Sequence, residues 1–212
     1  MAGCITMGAA AATQVMVLAP APHGAILVPD PISRALGSFY LGWDAQSGGV
    51  VHPLVAHLAQ EGIFLAVLIV VAGAWLASTG PLRERAVETA WRLAPGVVAA
   101  AIAFGVAHVA GRLVPEARPF VLLGRPALIA HAADNGFPSD HVIVGMAMLA
   151  ARVGTGTRIA TALMVALVGV ARVVSGIHWL DDIVAAALLG LAIAWLVSTA
   201  WESLVAPRLR TA

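Results

Sequence analysis

His178 and Asp182 stand four residues apart, the spacing that puts two side chains on one face where a helix begins. A carboxylate bonded to one ring nitrogen orients an imidazole and raises the basicity of the other, which is how a histidine becomes a nucleophile. Arg118 and Arg172 carry planar forks that match phosphate oxygens two at a time. Pro138-Ser139, directly before an apolar run, predicts a helix start, where free backbone N–H groups form a site for an anion. His141, in the first turn of that helix, is placed to give a proton to a leaving oxygen. The set reads as a phosphoryl-transfer site: two cationic clamps, a nucleophile, its orienter, a hydroxyl at a helix start and a general acid. No metal and no organic cofactor is expected.

The elements that must position these residues follow from composition. The chain has 212 residues, of which 60% are hydrophobic and only 11% charged, against about 25% charged in an ordinary soluble domain. A soluble domain of this size cannot cover that much apolar surface, so a soluble enzyme is excluded and an all-α, polytopic membrane bundle is expected. A net charge of +1 leaves no footprint for nucleic acid. A single cysteine, Cys4, excludes an internal disulfide and a cysteine metal site. All twelve basic residues are Arg, which removes lysine-based mechanisms.

A helix needs about 20 apolar residues to cross a bilayer. By that measure about five transmembrane helices are expected: Gly62–Ser78, Leu93–Val114, a shorter Ser139–Arg152, Arg158–Val174 and Ile183–Val205, with a tight turn over Val153–Thr157. Pro31–Gln60 reads as an interfacial segment. Residues 1–30 read as a leader, either flexible or a broken sixth span, because Pro20, Pro22 and Pro29 interrupt them. Residues 31–206 form one membrane-embedded domain, and 207–212 a short basic tail.

Ionisable residues are costly at membrane depth, and here they gather in two inter-helix stretches, Arg112–His141 and Arg172–Asp182. The chain crosses once after His141 and returns before Arg172, so both stretches face the same side of the membrane. Arg83, Arg85, Arg92, Arg152, Arg158, Arg208 and Arg210 fall on the other side, which reads as cytoplasmic. The site is therefore expected to open to the periplasm or exterior of a bacterial cell membrane. Arg112, Asp140 and His131 are further candidates for substrate contact, with Asp134 beside His131 at the headgroup entrance. His108 reads as a packing residue, and Trp91, Trp179 and Trp201 as anchors at the membrane interface.

These residues resemble the type 2 phosphatidic acid phosphatase superfamily. Its first motif is Lys, six residues, then Arg-Pro; Arg118-Pro119 matches, and Gly111 stands at the Lys position. Its second, Pro-Ser-Gly-His, is similar to Pro138-Ser139-Asp140-His141. Its third, Ser-Arg, five residues, His, three residues, Asp, is matched by Arg172, His178 and Asp182, with Ala171 replacing the Ser. Arg118-Pro119-Phe120, the His131–Asp134 stretch and Phe137–His141 resemble the bacitracin-resistance branch of undecaprenyl-diphosphate phosphatases. The resemblance implies removal of the terminal phosphate of a polyprenyl diphosphate, recycling the lipid carrier of cell-wall synthesis. It implies a phosphohistidine at His178, orientation by Asp182, leaving-group protonation by His141, and phosphate binding by Arg118, Arg172 and Ser139. The rivals are phosphatidic acid or phosphatidylglycerophosphate as the lipid, or a non-catalytic lipid-binding or transport protein. Oligomeric state and prenyl length are not legible in the sequence.

Overall fold

A computed structural model describes residues 51–205 and, before them, Pro31, Ile32, Arg34 and Ala35. The expected leader, the basic tail with Arg208 and Arg210, and most of the expected interfacial segment lie outside the described residues. The described chain is helical: α1 Val51–Ala77, α2 Leu82–Leu113, a single turn α3 Pro119–Leu122, α4 Asp140–Ala147 running into a 3-10 turn to Ala150, α5 Thr155–Val174, and α6 Leu180–Ala200 with a π turn Trp201–Val205.

Four helices are long and apolar enough to cross a membrane, within Pro53–Ala77, Leu82–Leu113, Thr155–Val174 and Leu180–Val205. Their outer faces carry Phe64, Leu68, Ile102, Leu163, Leu188 and Trp195, all exposed. Apolar side chains on the outside as well as the inside suit a bundle surrounded by lipid. The remaining expected span, Ser139–Arg152, is the short helix Asp140–Ala150, about 16 Å long at 1.5 Å per residue, and it is buried among the others.

Small residues let α4 reach the centre. Ala99, Ala103 and Ala107 recur every fourth residue on α2 and pack with Val142, Ile143 and Ala147 of α4, Val165 of α5, and Ala186 and Ile193 of α6. A Cβ on Gly190 would stand 2.5 Å from the Ile143 carbonyl oxygen, so α6 meets the α4 backbone directly. Close approach of this kind is how helices associate where lipid tails are as apolar as leucine. α1 packs chiefly along α5.

Several helix ends differ from the sequence expectation. Residues 51–60 belong to α1 rather than to an interfacial segment, and α2 begins at Leu82, so Arg83, Arg85 and Arg92 are helical. Charges at that end suggested a loop, yet a membrane helix continues past its apolar window; Glu88 pairs with Arg92 at 2.7 Å one turn away. The turn before α5 is shorter than expected, ending at Gly154. α6 begins at Leu180, so Asp182 lies in its first turn and His178 just before it.

Candidate active site

Two connections at one end of the bundle build the site. The first, between α2 and α4, is folded back by an antiparallel bridge between Ala117 and Asn135. The Asn135 amide donates to the carbonyls of Gly111 and Phe137 at 2.8 and 2.7 Å, and its oxygen accepts the Glu116 N–H. One side chain thus ties the end of α2 to both arms of the loop. The second connection, between α5 and α6, turns at Gly176 (φ 75), a left-handed conformation that favours glycine. It is tied to the first by Phe120 N–H to the Gly176 carbonyl at 3.1 Å and Leu128 N–H to the Ser175 carbonyl at 3.0 Å.

His178 sits where the two meet, 1% exposed, with Asp182 at 0%. Its Nε2 lies 3.1 Å from Nη2 of Arg172 and 3.4 Å from Nη1 of Arg118, while Nδ1 lies 3.2 Å from Oδ2 of Asp182. A guanidinium only donates, so Nε2 is the unprotonated nitrogen and Nδ1–H donates to the carboxylate. Burial first, then the Arg172 and Arg118 cations, hold the His178 pKa well below the ordinary histidine value. The ring is therefore neutral, with its lone pair directed between two cations. Asp182 Oδ2 also accepts the Trp179 N–H at 2.8 Å, an acid in the first turn capping its own helix.

The two guanidiniums are fixed by carbonyls. Arg118 donates to Ile177 and Asn135 carbonyls at 2.8 and 3.0 Å and pairs with Asp134 at 2.7 Å. Arg172 donates to the Ala59 carbonyl of α1 at 2.8 Å. Among the described residues no carboxylate lies within ion-pair distance of Arg172, and its buried Nε has no partner. Ser139, wholly buried at the start of α4, likewise has an unpartnered Oγ. A buried cation without an anion is costly, and these donors make a place for one.

His141 is half-buried in the first turn of α4, its ring bonded to the Gln60 carbonyl and within electrostatic reach of Arg172. His131 has its ring 4.0 Å from Asp134, and burial followed by Arg118 lowers its pKa. The structure thus gathers Arg118, Arg172, His178 and Asp182, with His141 and His131 within electrostatic reach, and Ser139 stands two residues before His141 at the start of α4. Arg112 and Asp140 form no hydrogen bond or ion pair with His178; both line an adjoining cavity, and Asp140 is within electrostatic reach of Arg172 and His141. Among the described residues no three His, Cys, Asp or Glu side chains converge as metal ligands do.

Two expectations are corrected. Trp179 is not an interface anchor: it is buried, with its indole N–H donating to the Ala117 carbonyl at 2.8 Å and joining the two connections. His108 is exposed rather than packed inside, stacked on Phe104 with centroids 6.0 Å apart. Two further residues shape the site: Asn135, which the sequence does not single out, and Glu116, which falls in the Arg112–His141 stretch with no role read for it and is buried and hydrogen-bonded to Asp182.

Residues 92–205 match the PAP2 superfamily. The chain is 34% identical over 151 residues to the bacitracin transport permease protein BcrC of Bacillus licheniformis, covering 66% of this chain and 67% of that protein. The crystal structure of Aquifex aeolicus LpxE superposes with a TM-score of 0.62 at 14% identity, covering 82% of this chain and 99% of that one. The first transmembrane PAP2 type phosphatidylglycerolphosphate phosphatase from Bacillus subtilis gives 0.58 at 17% identity, covering 82% and 87%. At these identities the two structures bear on the fold.

Proposed function

The chain belongs to the PAP2 superfamily and is a multi-pass membrane phosphatase, and we propose that it removes the terminal phosphate of a polyprenyl diphosphate such as undecaprenyl diphosphate. The observation that carries this is the neutral Nε2 of His178 between Arg172 and Arg118, with Asp182 behind it.

In the proposed reaction the terminal phosphate accepts hydrogen bonds from Arg118, Arg172 and Ser139. Nε2 attacks phosphorus in line, the P–N bond forms and the bond to the bridging oxygen breaks. Asp182 stabilises the positive charge that develops on the ring. An anionic substrate beside His141 favours its protonated form, and that proton passes to the leaving lipid phosphate. His141, now neutral, takes a proton from water as the water oxygen attacks the phosphohistidine, releasing inorganic phosphate and restoring His178. His131 is assigned to the headgroup entrance.

The proposed location is the bacterial cell membrane with the site facing outward. Arg85, Arg92, Arg152 and Arg158 support this, since they lie at the bundle end opposite His178, where Arg92 donates to the Arg152 carbonyl. The relative's name favours a link to bacitracin, which fits turnover of a cell-wall lipid carrier. That name also speaks of transport; charges that lie at the two ends of the bundle rather than at mid-depth, with the His178 cluster at one of them, favour hydrolysis. Phosphate release from undecaprenyl diphosphate in EDTA, with His178→Ala alongside, tests the reading. Release by the unaltered protein and loss in the variant are expected; undiminished release by the variant overturns it.

A further inference from the structure

Beside the His178 centre, across Arg118, lies a second cavity of about 290 Å³ that the reaction above leaves unused. It is lined by Arg118 and its partner Asp134, by Phe104, His108 and Arg112 of α2, and by Asp140. His108 and Arg112 are one helical turn apart and both exposed. No carboxylate among the described residues pairs with Arg112, while Asp134 is already held by Arg118 at 2.7 Å.

The packing at Gly111 explains why the cation stands there. A Cβ at 111 would meet the Phe137 carbonyl oxygen at 2.9 Å and Asn135 Nδ2 at 3.0 Å, so the loop occupies the space a side chain would need. The lysine of the resembled motif has no room at this position. The cation comes from the next residue, about 100° further round the helix, clear of the Phe137 and Asn135 contacts and still lining the cavity.

We propose that this cavity is a second phosphate subsite, taking the inner phosphate of a diphosphate ester, with Arg112 as its cation and His108 as a hydrogen-bonding partner. The inference rests on the phosphatase reading above and deepens it. Arg118 is shared by both compartments, so adjacent phosphates of one headgroup straddle it. The charge balance fits the assignment: the inner phosphate of a diphosphate ester carries one negative charge, and the terminal phosphate up to two. Arg112, Arg118, Asp134 and Asp140 together leave this cavity close to neutral, while on the Arg172 side the carboxylate within electrostatic reach is that same Asp140, which forms no ion pair with Arg172. When the bridging bond breaks, negative charge grows on the inner phosphate, and a guanidinium already beside it stabilises that charge. A monophosphate ester has no group to place there.

The test uses the full-length protein in detergent, titrated calorimetrically with farnesyl methylenediphosphonate, a non-hydrolysable diphosphate, and with inorganic phosphate. Arg112→Gln is expected to weaken the diphosphonate about tenfold or more, the scale of one charge-assisted hydrogen bond, and to leave inorganic phosphate within twofold. Arg112→Lys should recover part of the loss, and His108→Ala should show the same selectivity more weakly. Equal weakening of both ligands, or unchanged diphosphonate binding in Arg112→Gln, overturns the subsite. Binding does not depend on turnover, so the selective loss in Arg112→Gln, found together with an unaltered protein that hydrolyses no polyprenyl diphosphate, would overturn the proposed activity and leave the subsite standing.

Discussion

Nη2 of Arg172 lies 3.1 Å from Nε2 of His178, so a side chain on the last turn of one helix fixes which nitrogen of the next connection is free to react. The same contact sets a pH dependence. A histidine held below its ordinary pKa stays neutral as pH falls past about 6.5 and loses its nucleophilic form only through the lower folded-state value. The acid limb of kcat/KM, which reports the free enzyme, therefore lies below the usual histidine range. Arg172→Gln removes the stronger of the two cationic causes, so the pKa rises and the limb moves to higher pH. Activity at the optimum should fall by about 100-fold or more, as when a charge-stabilising donor is lost. Acid limbs at the same pH in both proteins would contradict the assignment.

Asp182→Asn keeps the shape and an acceptor for the Trp179 N–H but removes the charge facing Nδ1. The imidazolium-like transition state then loses its partner and the Nδ1–H tautomer loses its preference. kcat should fall by about 1,000-fold or more, on the scale of neutralising an orienting carboxylate elsewhere, with KM changed little. Single-turnover labelling reads the step itself: formation of the phosphorylated protein should slow in parallel. Labelling at the unaltered rate would move Asp182 out of the first step.

The residues that meet at His178 were legible because each carries its chemistry in its type and spacing, and a crossing count put positions 118 and 178 on one face. The residues that hold them were not. Asn135 works through three backbone groups brought together only by the fold. Trp179 looked like an interface aromatic because it adjoins a helix end, and nothing in its neighbours announces that its N–H reaches Ala117, 62 positions away. The beginnings of α1 and α2 were hidden by charge, because hydropathy marks the lipid-crossing part of a helix and not its ends. Gly111 was legible as a departure from a motif, but its cause, a loop lying against α2, is tertiary.

Asn135→Asp separates geometry from chemistry in that loop. The variant is isosteric, yet it replaces an amide donor with a carboxylate oxygen facing the Gly111 and Phe137 carbonyls at 2.8 and 2.7 Å. Two hydrogen bonds become repulsions, which should cost about 2–3 kcal/mol of stability by loss of buried partners. Thermal unfolding in detergent should show a lowered Tm. Asn135→Ser, which removes the contacts without adding charge, should be milder. A Tm unchanged in the aspartate variant would mean that the loop is held by other contacts.

Gly190 on α6 and Gly105 on α2 form a matched pair for the packing around α4. A Cβ at 190 meets the Ile143 carbonyl oxygen at 2.5 Å and the Met146 Cβ at 2.8 Å, whereas at 105 nothing lies within 4 Å. Backbone cannot yield as a flexible side chain does, so Gly190→Ala must push α6 and α4 apart, costing about 1–3 kcal/mol as overpacking does. α4 carries Ser139 and His141 at its start, so the displacement should also lower kcat at temperatures where the variant is still folded. Gly105→Ala adds a methyl group in open space and gains helix propensity of up to about 1 kcal/mol, leaving activity unchanged and Tm equal or higher. If both variants lowered activity alike, the small residues of this bundle would be serving backbone flexibility rather than the close seating of α4.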